Sequence, residues 1–216
     1  MVEITKVDPD KIESLSFKLI EEEAGDHGLN AAEWAVVRRL IHTTADFEFI
    51  ENTRFHPQAL QAGIAAIRSG AAIFTDTRMA QAGITRRRLA QFGCEVHCYI
   101  DDPEVVTAAK RDNSTRAAAA VSQAKEILHG GMAVIGNAPT ALIELVRRHE
   151  QGILQPALVV GMPVGFVNAA EAKELLMASG LVYISVAGRK GGSAVAAATV
   201  NALANLAAKK SKAHSA

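Results

Sequence analysis

The sequence is poor in cysteine, which argues against an oxidised, secreted protein and against a zinc protein. Its two cysteines are Cys94 and Cys98, and a single pair without a second one is not typical of a zinc site. A reduced, cytoplasmic protein is therefore expected.

Long apolar runs are also absent from the chain. No stretch approaches the roughly 18 consecutive apolar residues of a membrane-spanning helix. The amino terminus, MVEITKVDPDKIE, lacks the basic and then apolar build of a signal peptide. No membrane association is therefore expected.

An excess of charge of one sign is the third feature that the sequence lacks. Its 23 lysines and arginines balance 23 acidic residues, whereas nucleic-acid binders and membrane-surface proteins usually carry a basic excess. Neither class is expected, although a local basic pocket remains compatible with neutrality. Of the 216 residues, 49% are apolar, which is enough for the core of one large α/β domain.

Strand-like and helix-like segments alternate along the chain, which predicts an α/β fold: a three-layer, open, mainly parallel sheet with helices on both faces. Segments such as AAIF, MAVI and ALVV are apolar throughout, as expected of strands that are covered on both faces. The predicted strands are Ala72–Thr75, Glu95–Ile100, Met132–Ile135, Ala157–Val160 and Val182–Val186. The predicted helices are Pro9–Ala24, Ala31–Ile41, Pro57–Ser69, Arg86–Gln91, Pro103–His129 with a break near Asn113, Pro139–His149, Asn168–Ser179 and Ser193–Ala208.

Two helix starts carry their own sequence signals. Asn168 followed by Glu171 predicts an N-cap with a reciprocal partner at the third helical position, and Pro139 suits a first helical turn. The last residues, KKSKAHSA, lack apolar periodicity and are expected to form a flexible tail. Because there is no repeat and no linker, we predict a single domain over residues 1–208 and a tail over 209–216.

The loops that follow the predicted strands indicate where a ligand binds, because ligands of open parallel sheets bind beyond the carboxyl ends of the strands. These loops read TDTRMAQAGITRRR, GNAPTA, GMPVGF and AGRKGGS. Three are rich in glycine, which lets backbone approach a ligand, and helix N-termini near arginine favour an anion. None contains a dinucleotide fingerprint or a P-loop. One such glycine is ordinary turn chemistry, but several at one edge predict a ligand site of unspecified chemistry.

His42 is the candidate catalytic residue. It ends the predicted helix Ala31–Ile41, and Asp46 follows four residues later. A helix C-terminus and a nearby carboxylate both favour the protonated imidazolium, which suits a general acid. A capping role without catalysis is the alternative, since histidine often ends helices.

Blocks along nearly the whole chain resemble the precorrin-8X methylmutase family, whose name is shared with cobalt-precorrin-8 methylmutase. Two of them, GNAPTAL and GMPVGFV, are highly specific in that order and at that distance. The matching blocks are Ser16-Phe17, Leu40-Ile41-His42, Ala71–Gly83, Ile84-Thr85-Arg86, NSTRAAAA around Arg116, Gly136–Leu142, Gly161–Lys173 and Gly188–Ala194.

The resemblance implies an isomerase of cobalamin (vitamin B12) biosynthesis. Such an enzyme moves a methyl group from C-11 to C-12 of precorrin-8X or cobalt-precorrin-8 and gives hydrogenobyrinate or cobyrinate. It is expected to be a homodimer with its site near the subunit interface, and to need no cofactor, since any cobalt belongs to the substrate. The expected partner is the tetrapyrrole, with no nucleic acid and no membrane.

The resemblance also implies roles for individual residues. The family's invariant histidine matches His42, whose implied role is to protonate the macrocycle and so promote a suprafacial 1,5-sigmatropic methyl shift. Ser16, Thr85 and Arg116 match positions that line the substrate pocket. Some relatives carry a tyrosine three residues before the pocket serine, but this chain has Glu13 there, so a ligand contact from that position is not expected.

A substrate of this kind is flat, apolar at its centre and fringed with carboxylates. Arginines pair with carboxylates bidentately, and glycine-rich loops let backbone N–H groups meet them. The further predicted substrate-binding residues are Arg86, Asn137, Gly161, Arg189, Gly191 and Gly192.

Two other functions use the same sequence features. A tetrapyrrole carrier would bind the macrocycle without turnover and would not need His42. An enzyme of phosphorylated small molecules would use GRKGGS at a helix N-terminus as its anion site. A turnover assay distinguishes the carrier from an isomerase. A spectrum recorded after mixing with a corrinoid, with a sugar phosphate as the control, distinguishes the enzyme of phosphorylated molecules.

Overall fold

Six strands form one sheet in the computed structural model, which describes residues 8–209. The order across the sheet is β1-β6-β5-β4-β2-β3. Every neighbouring pair is parallel except β1 with β6. The mainly parallel sheet that the alternation predicted is confirmed. The strands are β1 (Thr53–Phe55), β2 (Ile73–Thr75), β3 (Val96–His97), β4 (Met132–Ile135), β5 (Leu158–Gly161) and β6 (Tyr183–Val186).

All five predicted strands occur, and the differences concern the edges of the sheet. The prediction of a strand over Glu95–Ile100 was too long, because β3 pairs only with the first two residues of β2. Strand β1 was not predicted. It has three residues, and Arg54 at its centre is exposed, so no apolar run marks it. As the antiparallel edge strand, it is covered less than the central strands.

The helices follow the predicted order with three corrections. The break predicted near Asn113 is confirmed, since Asn113 has a positive φ of 47° and Thr115 caps a new helix. A second break, at Ala124, was not predicted, so the segment Pro103–His129 is three helices. The helix predicted over Ala31–Ile41 continues to Thr44, and α3 and α5 were not predicted. A 3₁₀ turn at Pro9–Lys11 precedes α1. The α-helices are α1 (Ile12–Ala24), α2 (Ala31–Thr44), α3 (Phe49–Asn52), α4 (Ala59–Arg68), α5 (Arg78–Gly83), α6 (Arg86–Ala90), α7 (Pro103–Arg111), α8 (Arg116–Gln123), α9 (Lys125–Leu128), α10 (Pro139–Glu150), α11 (Ala169–Ala178) and α12 (Ser193–Ala208).

The reciprocal N-cap predicted at Asn168 is wrong. Asn168 has left-handed backbone (φ 58°, ψ 14°) and makes no side-chain capping bond. The reciprocal pair occurs at α2, where Asn30 accepts from the amide of Glu33 and the Glu33 carboxylate accepts from the amide of Asn30. Both segments read Asn-x-x-Glu, so the backbone conformation of the first residue decides between them. Pro139 does occupy the first turn of α10, as predicted.

Two apolar cores cover the two faces of the sheet. Ile73, Val134 and Val160 face the core that contains α2, α4 and α12. Phe74, Ala133 and Val159 face the core that contains α8, α10 and α11. Helices on both faces are therefore confirmed, and alternate strand residues point to opposite faces.

Within residues 8–209, no helix is long and apolar enough to cross a membrane. The tail predicted over 209–216 lies outside the described residues, apart from Lys209.

Candidate active site

Four loops meet at the carboxyl edge of the parallel strands, as the sequence predicted. Because β2, β4, β5 and β6 run parallel as neighbours, the segments that follow them emerge on the same side. These segments lead into α5, α10, α11 and α12 respectively. The edge therefore brings together loops whose first residues are up to 111 apart in the sequence, at Asp76 and Ala187.

A buried aspartate, Asp76, organises the loop after β4. Its oxygens accept hydrogen bonds from the backbone amides of Gly136 (3.0 Å), Asn137 (2.8 Å) and Ala138 (2.7 Å). Burial raises the pKa of this carboxyl, and the three amide donors oppose that shift. These three amides already have Asp76 as their acceptor, so they are not free for a substrate carboxylate in this structure. Asn137 is exposed and has only its side chain for a ligand.

Glycine is required at Gly136 by a close approach of two loops. A methyl group there would lie 2.7 Å from the Cα atom of Ser193, at the start of α12. The Ser193 hydroxyl also lies 2.8 Å from that of Thr77. The loops after β2 and β4 are thus joined to the N-terminus of α12.

Two arginines share the carboxylate of Asp101, which lies in the segment that follows β3. Asp101 accepts from Arg78 at 3.4 Å and from Arg116 at 3.3 Å. All three side chains are more than half exposed, so these ion pairs are weak. Arg116 was predicted to bind substrate, and the structure places Arg78 beside it as a second cation.

The loop between β6 and α12 carries Arg189 and Lys190. The Lys190 ammonium contacts Asp46 at 2.6 Å and Glu48 at 2.9 Å. The Arg189 guanidinium lies over the ring of Phe166, 5.5 Å from its centroid. Gly191 has a φ of 155°, and a methyl group there would collide with the Met162 carbonyl oxygen. The Gly192 amide donates to that same oxygen at 2.9 Å.

His42 lies in the last turn of α2 and is exposed. Its ring centroid is 5.1 Å from that of Phe17, which follows Ser16 on α1. The structure therefore brings into contact the two helices that carry the predicted site residues Ser16 and His42.

The carboxylate that was expected to assist His42 has another partner. Asp46 accepts from Lys190, and that hydrogen bond holds the pKa of Asp46 below its usual value. In the part of the chain that the structure describes, no hydrogen bond or ion pair links Asp46 to His42. Asp46 instead ties the C-terminal end of α2 to the loop that carries Arg189.

These contacts define a continuous rim along the carboxyl edge. We call it the C-terminal rim, and its links are Arg116–Asp101–Arg78, Thr77–Ser193 and Lys190–Asp46.

Two predicted site residues, Thr85 and Arg86, lie away from this rim, and a third, Gly161, is buried at the end of β5. The Thr85 amide donates to Asn201 at 2.8 Å, and Asn201 is about 12 Å along α12 from Ser193. Arg86 lines a shallow depression with Cys94 and His97, beside β3. Gly161 is buried, and its lack of a side chain makes room for Leu176. Their contacts with a ligand stay predictions.

Glu13, from which no ligand contact was expected, has an intramolecular role. Its carboxylate accepts from Arg39 at 3.0 Å. This ion pair ties α1 to α2 just beside Phe17 and His42.

Four residues at this edge were not predicted from the sequence. Arg78 and Lys190 belong to the C-terminal rim, and Asp76 and Lys173 lie next to it and hold its loops through backbone hydrogen bonds. A signal for Lys173 did exist. The buried positions of α11 are Ala169, Ala172, Lys173 and Leu176, so this lysine falls on the apolar stripe of its helix. Within residues 8–209, no group of three or more histidine, cysteine or acidic side chains is arranged to hold a metal ion.

Comparison with known proteins gives consistent matches over nearly the full length. The family model described as precorrin-8X methylmutase matches residues 11–206. The cobalt-precorrin-8 methylmutase of Priestia megaterium is 46% identical over 93% of this chain and 89% of its own length. The precorrin-8X methylmutase of Pseudomonas aeruginosa is 44% identical over 88% of this chain and 91% of its own.

A crystal structure of the precorrin-8X methylmutase of Thermus thermophilus superposes with a TM-score of 0.85. It is 48% identical, and the match covers 92% of this chain and 98% of that one. The chain therefore belongs to the precorrin-8X methylmutase family, which confirms both the family and the enzyme class, a methylmutase, that the sequence blocks predicted.

Proposed function

We propose that this chain is the isomerase of cobalamin biosynthesis that moves a methyl group from C-11 to C-12 of precorrin-8X or cobalt-precorrin-8. The product is hydrogenobyrinate or cobyrinate. The observation that supports this most directly is the position of His42. It is an exposed imidazole that packs against Phe17, the residue that follows Ser16, at the end of the helix that Asp46 ties to the cationic C-terminal rim.

His42 is the proposed general acid. Its imidazolium lends a proton to the macrocycle, the bond from C-11 to the methyl group breaks as the bond to C-12 forms, and the proton returns to His42. Substrate and product then have the same composition, as an isomerisation requires. A positioned general acid contributes about 10²–10⁴-fold in rate, and a preorganised pocket supplies the remainder.

The cations of the rim suit the carboxylates of a tetrapyrrole. Arg116 and Arg78 lie together at one place along the rim, where their ion pairs with Asp101 are exposed and weak enough to exchange for a ligand carboxylate. Arg189 lies at a second place, over the ring of Phe166, and has no ion pair among the described residues. Apolar side chains near them suit the centre of the macrocycle: Phe166 is 85% exposed and Met79 is 70% exposed.

The proposed reaction is an internal rearrangement without net oxidation or reduction. It therefore requires no cofactor from the protein, and any cobalt is part of the substrate.

We also propose that the enzyme is a homodimer with its site near the subunit interface. The apolar side chains of Ile12, Leu15 and Leu19 on α1 are between 38% and 55% exposed, and a second copy would cover them. Thr85 and Arg86 match or neighbour the family's pocket residues but lie away from the rim within one chain. A site shared between subunits would bring Thr85 and Arg86 of one copy next to the C-terminal rim of the other.

The test is replacement of His42 by alanine, with turnover of the tetrapyrrole followed by absorbance. We expect His42→Ala to lose at least about a hundredfold in rate and to keep product affinity within a few-fold, because most contacts lie elsewhere. His129→Ala is the matched control, since His129 is an exposed histidine before β4, at the opposite edge of the sheet.

Two results would contradict the proposal. Turnover of His42→Ala within a few-fold of the unmodified protein would remove His42 from the mechanism. Binding of the macrocycle by the unmodified protein without any isomerised product would favour the carrier function instead.

A further inference from the structure

Lys173 is a buried cation next to the C-terminal rim. It lies in α11, and its side chain is fully buried (0% exposed). Its ammonium donates to the backbone carbonyl of Lys190 at 2.7 Å. Lysine is almost never fully buried unless it is paired, so this position calls for a specific reason.

No acidic side chain compensates the charge of Lys173 within the described residues. The ion pairs of residues 8–209 do not include it. Burial lowers the pKa of Lys173 to about 8, which leaves it mostly protonated at pH 7. A buried and uncompensated ammonium is costly for the fold, and a residue of this kind is commonly retained for a function.

The Lys173 contact holds the segment 188–192 from one side. On a second side the Gly192 amide donates to Met162, and on a third the Lys190 ammonium contacts Asp46. Gly188, Gly191 and Gly192 all have positive φ values, so the segment has little conformational preference of its own. A fourth contact is the hydrogen bond that the Gly165 amide donates to the Arg189 carbonyl oxygen at 3.2 Å. The shape of the segment therefore depends on these contacts, and that of Lys173 is the one made by a fully buried cation.

We propose that Lys173 is a positioning residue that holds the segment 188–192 in the shape in which Arg189 binds a substrate carboxylate. It does not touch the substrate. Its charge, removed from water beneath the segment, also adds to the attraction for an anion, because charges interact more strongly where the dielectric constant is low. The inference rests on the proposed function of Arg189.

The test compares Lys173→Met with Lys125→Met, an exposed lysine of α9 that serves as the matched control. We expect Lys173→Met to raise KM and the dissociation constant of the product about tenfold (about 1.4 kcal/mol), while kcat stays within threefold. This pattern is expected because a positioning residue for substrate binding acts on ground state and transition state alike. Lys125→Met should change neither constant.

Arg189→Ala separates failure of the inference from failure of the proposed site. If Arg189→Ala weakens product binding but Lys173→Met does not, the positioning role is wrong and the site stands. If Arg189→Ala leaves product binding unchanged, the segment 188–192 does not bind substrate. The proposed roles of Arg189 and of Lys173 are then both wrong.

A measurement on the unmodified protein keeps the inference testable if Lys173→Met does not fold. Protons of a buried, hydrogen-bonded ammonium exchange slowly with water, so Lys173 should give a ¹H–¹⁵N signal of its side chain, unlike exposed lysines. Addition of the product should shift this signal, because the carbonyl that accepts from Lys173 belongs to the segment that binds. An unchanged signal at saturating product would overturn the proposal.

Discussion

Replacement of Asp76 by asparagine tests whether this carboxylate organises the carboxyl edge of the sheet. One oxygen of Asp76 accepts from Gly136, and the other accepts from Asn137 and Ala138. The amide of asparagine can keep two of these bonds through its oxygen. Its NH₂ group then faces the Gly136 amide, so two donors meet without an acceptor.

The magnitude follows from this arrangement. An unsatisfied buried donor costs about 1–3 kcal/mol, and Asp76→Asn creates two of them, which gives about 2–6 kcal/mol. Part of this loss is offset, because a neutral amide avoids the cost of burying a carboxylate charge. That cost is also the reason why burial raises the pKa of Asp76. We therefore expect a net loss of about 2 kcal/mol, which lowers Tm by about 4–8 °C in a chain of this size.

Thermal and urea unfolding measure this effect. Asp112→Asn is the control, since Asp112 is an exposed aspartate that pairs with Arg111, and it should leave Tm nearly unchanged. An Asp76→Asn protein as stable as the unmodified one would refute the reasoning. It would show that the three amides are satisfied without a carboxylate.

Other expected outcomes concern Arg116 and Lys173. Arg116→Ala should raise KM or weaken product binding by about 1–3 kcal/mol, since a charge-assisted contact is lost; titration with the product checks this, and an unchanged affinity would assign Arg116 a structural part. The pKa of Lys173 is about 8 when folded, against the ordinary 10.5, so the unfolded chain binds more protons between these values. Stability should therefore rise with pH from about 8 to 10.5, by up to about 3 kcal/mol. Urea unfolding of the unmodified protein and of Lys173→Met should show this rise only in the former, and parallel pH profiles would contradict the buried ammonium.

Most of the architecture could be predicted from local sequence patterns. The apolar segments at β2, β4 and β5 are strands because both of their faces are covered, and this leaves a continuous apolar signature. Strand β1 leaves no such signature, since Arg54 at its centre faces solvent. The capping pair was predicted at Asn168 and occurs at Asn30, because the same letters adopt different backbone conformations at the two positions.

The site could be predicted in part. The strand order confirms that the glycine-rich loops meet at one edge of the sheet, whereas the roles of His42 and of the substrate-binding residues stay predictions. The partners of the charged groups could not be predicted. Asp46 was expected to assist His42 but pairs with Lys190, and no sequence pattern indicated that Asp76 accepts from the amides before α10.

The sequence by itself determined the alternation of strands and helices, the edge at which the loops meet, and the family, because each depends on neighbours along the chain or on contiguous blocks. Only the tertiary structure decided that Asp76 binds amides 60 residues away, that Lys190 reaches Asp46 across 144 residues, and that Lys173 is buried. The physical reason is that hydrogen bonds and desolvation act over a few ångströms through space. Local periodicity carries no record of which distant groups the folded chain brings within that range.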